Sequence, residues 1–160
     1  MPERTPARNI RMTYSITEEQ DYLRAELANR ETVGETREFL RAVVRYSPRY
    51  ANIVICVRQS KPIFHAERHG LIEYFQEAAR SPKHRIALLA DTADLQASHE
   101  YLELLARQRG FNVRSFHSEP EVLWWFRDRR EARTDRRLGQ EQPQGEDRRR
   151  GQDRRQPAAR

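Results

Sequence analysis

The stretch from Arg85 to Gly110 limits the folds open to this chain more than any other, because it spells a strand, a short loop and an amphipathic helix in succession. Ile86, Ala87, Leu88, Leu89 and Ala90 form an unbroken apolar run that stops at Asp91-Thr92, as a strand covered on both faces requires. From Asp94 the period changes. Leu95, Leu102, Leu105 and Ala106 share one helical face, and Gly110 stands where a left-handed C-cap is wanted. A second strand, Asn112 to Phe116, follows at once. Strand, helix and strand joined by short links make the crossover unit of a parallel sheet.

The same reading extends in both directions. Arg11 to Ile16 and Tyr22 to Leu27 alternate apolar and polar residues across the linker Thr17-Glu18-Glu19-Gln20, which predicts a hairpin. Thr32 and Glu35 have capping-box spacing ahead of a helix with the stripe Phe39, Leu40, Val43 and Val44, and Ser47-Pro48 ends it. Ile53 to Val57 is another continuous apolar strand. After the loop Arg58 to Pro62, the positions of Phe64, Leu71, Tyr74, Phe75 and Ala78 predict a helix over 63–80, with Gly70 in its interior at about 1 kcal/mol relative to Ala. Ser118-Glu119-Pro120-Glu121 is a second capping-box sequence, and Val122, Leu123, Trp125 and Phe126 dock the last helix. Neighbouring helix positions point about 100° apart, so Trp124 and Trp125 are expected to divide, one packed and one exposed. The fold class is α/β: a mixed, largely parallel sheet of about five strands in the order β-β-α-β-α-β-α-β-α.

Charge divides unevenly along the chain. Residues 11–126 hold 16 Lys and Arg against 16 Asp and Glu, whereas residues 127–160 hold 12 against 7. The net charge of +6 therefore resides in the ends, and any nucleic-acid or anionic-surface binding is expected of the Arg-rich tail. From Arg127 onward Leu138 is the only large apolar residue, too little to offset the entropy of ordering. The expected organisation is a flexible N-terminus (1–10), one α/β domain (11–127) and a disordered Arg, Gln and Asp-rich tail (128–160). The single cysteine, Cys56, has no partner for an intramolecular disulfide, and no run has the roughly 18 apolar residues of a membrane span. A cytoplasmic protein without a transmembrane segment is the expectation.

Chemistry-bearing motifs are sparse. His65 and His69 have the i, i+4 spacing of a helical metal pair but no Cys/His cluster around them, so no metal site is expected. Asp91 ends a central strand without the acidic pair a receiver domain carries after its first strand, and capping by Asp91 or Thr92 is the preferred reading. Gly34, Gly70 and Gly110 are isolated, so neither a dinucleotide fingerprint nor a P-loop exists. Cys56 lies inside Ile-Val-Ile-Cys-Val and reads as a small hydrophobe. No catalytic residue and no cofactor is assigned.

The stretches Arg85-Ile86-Ala87-Leu88-Leu89, His99 to Ala106, and Asn112 to Phe116 followed by Trp124-Trp125 resemble the bacterial SpoIIAA-like group. Its domains share the STAS fold of anti-sigma-factor antagonists and are compared with Sec14-like lipid-binding domains; the similarity covers about residues 12–126. The resemblance implies a regulatory module acting through protein contact. It also places a phosphorylation switch after the third strand, where the nearest serine is Ser60, without the acidic residue before it and the glycine after it that mark the family's turn. If the strands at 53–57, 86–90 and 112–116 are parallel, the loops Arg58 to Lys61, Asp91-Thr92 and His117 to Glu119 share one edge, and Arg58, Ser60, Lys61 and Thr92 are the expected contact residues. The alternatives are a small-ligand or lipid-binding domain with an apolar cavity under residues 63–80, and a nucleic-acid-associated protein working through its tail.

Overall fold

The computed structural model describes residues 11–128. Strands β1 (Thr13–Glu18) and β2 (Leu23–Ala28) form the antiparallel hairpin, with Tyr14 opposite Leu27 and Ile16 opposite Ala25. The turn comes slightly later than the sequence suggests, because Thr17 and Glu18 still pair within β1 and the Glu19 N–H reaches the Tyr22 carbonyl at 3.0 Å. Strands β3 (Asn52–Arg58), β4 (Arg85–Ala90) and β5 (Val113–Phe116) then add in parallel to give the order β1-β2-β3-β4-β5.

That order runs in one direction, which decides where the helices go. Crossovers of one hand between successive neighbours put every connecting helix on the same face of the sheet. Helices α1 (Val33–Tyr46), α2 (Ile72–Ala78) and α3 (Ala93–Arg109) lie there, over Leu23, Leu27, Ile53, Ile55, Ile86 and Leu88. The alternate residues Val54, Cys56 and Ala87 point the other way and pack with Val122 and Trp125 of α4 (Glu119–Arg127). Burial on both faces is why β3 and β4 are continuous apolar runs, while β2 alternates buried Leu23, Ala25 and Leu27 with half-buried Arg24 and Glu26.

Local chemistry accounts for the helix ends. Thr32 and Glu35 make the expected reciprocal capping box on α1, and a 3₁₀ turn at Ser47–Arg49 follows that helix. Thr92 caps α3 by accepting from the Leu95 N–H at 3.3 Å, and Gly110 closes the helix in the left-handed conformation at φ 78°. At α4 the box differs from its sequence pattern. The Ser118 side chain makes no capping bond, and Glu121 accepts from the N–H of His117 at 3.2 Å.

The helix predicted over 63–80 is the main correction. Only Ile72–Ala78 is helical, and residues 59–71 form a long loop. His65 and Gly70 have φ of 60° and 66°, left-handed values that interrupt a right-handed helix; Gly70 thus has a turn to make rather than a helix to weaken. Phe64, assigned to the buried stripe, is exposed. The i, i+4 relation of His65 and His69 also lapses without a helix beneath it, and no cluster of metal-ligating side chains occurs among the described residues.

Arg85 joins α4 to the sheet. It is buried, donates to the carbonyls of Trp125 and Asp128, and lies over the Trp125 ring at 5.6 Å. The helix's last carbonyls are thereby satisfied from β4. Trp125 is 1 % exposed and Trp124 68 %, the division expected of adjacent helix positions. Trp125→Ala is expected to destabilise the fold by about 3–5 kcal/mol in urea unfolding, and Trp124→Ala by no more than about 0.5 kcal/mol. Cys56, 3 % exposed, has its thiol pushed up by burial against the opposing effect of Arg24. It is expected to react slowly with a thiol reagent while folded and rapidly once unfolded, which a labelling time course with and without denaturant measures.

Candidate functional site at the carboxyl edge of the sheet

Parallel pairing brings the ends of β3, β4 and β5 to one edge. There Arg58, Asp91, His117, Ser118 and Glu119 line an open groove of about 210 Å³, floored by Cys56 and Leu89 and bounded by Arg24. The three loops expected at this edge do meet. The reason for expecting a ligand crevice among them does not carry over. Such a crevice forms where strand order reverses and neighbouring crossover helices separate to opposite faces, and β2 to β5 have no reversal.

Charge in the groove is paired. Arg24 holds Glu119 across it and binds Glu26 at 3.0 Å, and Arg58 approaches the same Glu26 oxygen at 3.7 Å with most of its own side chain in solvent. Asp91 accepts the Gln59 N–H at 2.9 Å, which holds the loop leaving β3 against the one leaving β4 while Gln59 takes a left-handed φ of 45°. This is a tied loop junction with one solvent-facing cation, Arg58.

The remaining expected contact residues separate. Thr92 lines a neighbouring depression of about 320 Å³ with Gln96, Glu100 and His117. Ser60 turns toward the loop after β2: its hydroxyl donates to the Arg58 carbonyl at 2.7 Å and accepts the Arg30 N–H at 3.0 Å. The Lys61 N–H reaches the Arg30 carbonyl at 3.3 Å, and the Lys61 side chain is left to solvent. Arg58 is therefore at the groove, Thr92 beside it, and Ser60 and Lys61 behind it.

What sequence reasoning missed lies beneath the loop 59–71. A cavity of about 40 Å³ sits between α1, α3 and this loop, with apolar walls that include Phe39, Ile55 and Leu102 and a polar end formed by Arg30 and His99. A water needs roughly 10–15 Å³ on this measure, so the space suits about three waters and no lipid chain. Arg30 and His99 are 6 % and 4 % exposed. Arg30 Nε and Nη2 and His99 Nδ1 find no partner within the protein. Burial lowers Arg30 to about 10, opposed by Glu35, so it stays charged at neutral pH. Burial, reinforced by the Arg30 charge, lowers His99 to about 4 and leaves it neutral. His99 had a signal in the sequence: it falls four residues after Leu95 and three before Leu102, inside the buried stripe. Arg30 had none, since it follows a turn at Asn29 whose left-handed φ of 58° sets the direction of the side chain.

With this geometry in view, the fold is that of the STAS or SpoIIAA-like domains. A crystal structure of an anti-sigma factor antagonist from Mycobacterium paratuberculosis matches with a TM-score of 0.53 and 8 % identity, over 74 % of this chain and 96 % of the other. No family model matches the sequence, and no curated protein matches it. No helix among the described residues is long and apolar enough to cross a membrane. Ser60→Ala removes the bond that ties the β3 exit to Arg30; a loss of about 1 kcal/mol is expected in chemical denaturation, with the circular dichroism spectrum unchanged.

Proposed function

We propose that this chain is a non-enzymatic, STAS-like regulatory module of the bacterial cytoplasm that works by binding another protein through the carboxyl edge of its sheet. The observation that carries the reading is the meeting of the β3, β4 and β5 exits around one open groove in a fold shared with an anti-sigma factor antagonist, a protein named for its action on a protein partner. Arg58 presents its guanidinium to solvent at the groove, Thr92 lies beside it, and Lys61 and the candidate phosphorylation site Ser60 lie behind it. A phosphoryl group there would replace the hydroxyl proton that now goes to the Arg58 carbonyl, and would add negative charge close in sequence to Arg58 and Lys61.

The second reading, nucleic acid or an anionic surface held by the basic tail, falls on residues 129–160, outside those described. The experiment separates the two. Full-length protein, Arg58→Ala, Ser60→Asp and a chain ending after Asp128 are each used to capture partners from the native cell, and each captured complex is then titrated. The cut follows Asp128 because Arg85 holds that residue's carbonyl. Edge binding predicts that both substitutions weaken the complex by about tenfold or more while the shortened chain binds normally. Unchanged affinity in both substituted proteins moves the site off this edge, and loss of binding on truncation alone assigns it to the tail.

A further inference from the structure

The cavity under the 59–71 loop combines apolar walls with a buried arginine that has no carboxylate on its Nε and Nη2. Nε and Nη2 of Arg30 are the adjacent pair whose N–H bonds run parallel, the fork that receives both oxygens of a carboxylate side by side. Glu35, the acid that offsets burial at Arg30, has its carboxylate engaged by the backbone N–H groups of Glu31 and Thr32 at 2.7 and 2.9 Å. A buried cation whose N–H groups lack acceptors is disfavoured, and an anion seated on the fork would supply them.

We propose that this cavity binds a short-chain monocarboxylate, its carboxylate seated on the Arg30 fork beside His99 and its alkyl end against Phe39, Ile55 and Leu102. Each part of the ligand class follows from the lining. The hydroxyls of Thr36 and Ser98 also reach the cavity but donate to the carbonyls of Thr32 and Leu95, which leaves donation to Arg30 and His99. With His99 neutral, a single positive charge matches a monoanion; a phosphate dianion would leave excess charge among apolar walls. The volume of about 40 Å³, room for about three waters, limits the acid to about two carbons. The choice of this ligand does not rest on the partner contact proposed above.

The test is a titration of full-length, methyl-labelled protein with sodium acetate at constant ionic strength, followed by NMR at the Ile55 and Leu102 methyls and the Arg30 Nε–H. Saturable shifts at all three are expected. Acetamide, of the same shape without the charge, and acetate with the Arg30→Met protein should each bind at least about tenfold more weakly. Arg30→Met removes a buried charge and should fold; should it not, the comparison of acetate with acetamide on the native chain decides. Three results would overturn the proposal: no saturable shift with acetate, equal response to acetamide, or inorganic phosphate binding at the same methyls as tightly as acetate.

Discussion

Everything in this fold depends on covering the second face of β3 and β4. Because the strand order runs one way, the three crossover helices occupy one face and leave Val54, Cys56 and Ala87 to be covered by the C-terminal helix. A nine-residue helix has few turns with which to dock, and this one is held by more than its apolar side chains. Arg85 reaches through from the start of β4 to its last carbonyls, and the guanidinium groups of Arg85 and Arg114 lie over the Trp125 ring at 5.6 and 5.3 Å. Trp125 in turn packs against Phe116 and Phe126. The charges that begin β4 and punctuate β5 thus fasten the helix that buries the outer face.

The legible parts of the fold were those in which local pattern and tertiary burial agree. Unbroken apolar runs in β3 and β4, alternation in β2, the Thr32–Glu35 box and Gly110 each carry one physical meaning, and each element stands within a residue or two of its expected place. The segment 63–80 failed for the converse reason. Leu71, Phe75 and Ala78 are buried at helical spacing, and extending that period backward to Phe64 looked natural, but His65 and Gly70 take left-handed φ and the loop buries Ala66 instead. Apolar spacing cannot register a left-handed residue when that residue is a histidine.

The candidate site divides along the same line. Which loops share the carboxyl edge follows from parallel pairing alone, and parallel pairing was readable from the crossover pattern. Which side chains face the groove depends on turn conformations. Gln59 at φ 45° sends the chain around so that Ser60 bonds to the Arg30 backbone instead of lining the groove. The cavity was harder still, since its polar end needs a buried arginine from a turn and a histidine from a helix stripe to converge across the core, a relation between residues far apart in sequence.

Arg30 connects the cavity to the loop that carries Ser60. The N–H of Arg30 donates to the Ser60 hydroxyl and its carbonyl accepts from Lys61, so its backbone belongs to the edge, while its side chain forms the charged end of the cavity. The loop that carries Ser60 and Lys61 continues directly into Ile63 and Ala66 on the cavity wall. A group added to Ser60 must therefore act on the residue that any anion in the cavity would hold. If it favours one position of Arg30 over another, linkage requires that cavity occupancy bias the Ser60 turn by the same free energy in return. Under that condition Arg30 would link the interior of this domain to its exposed edge.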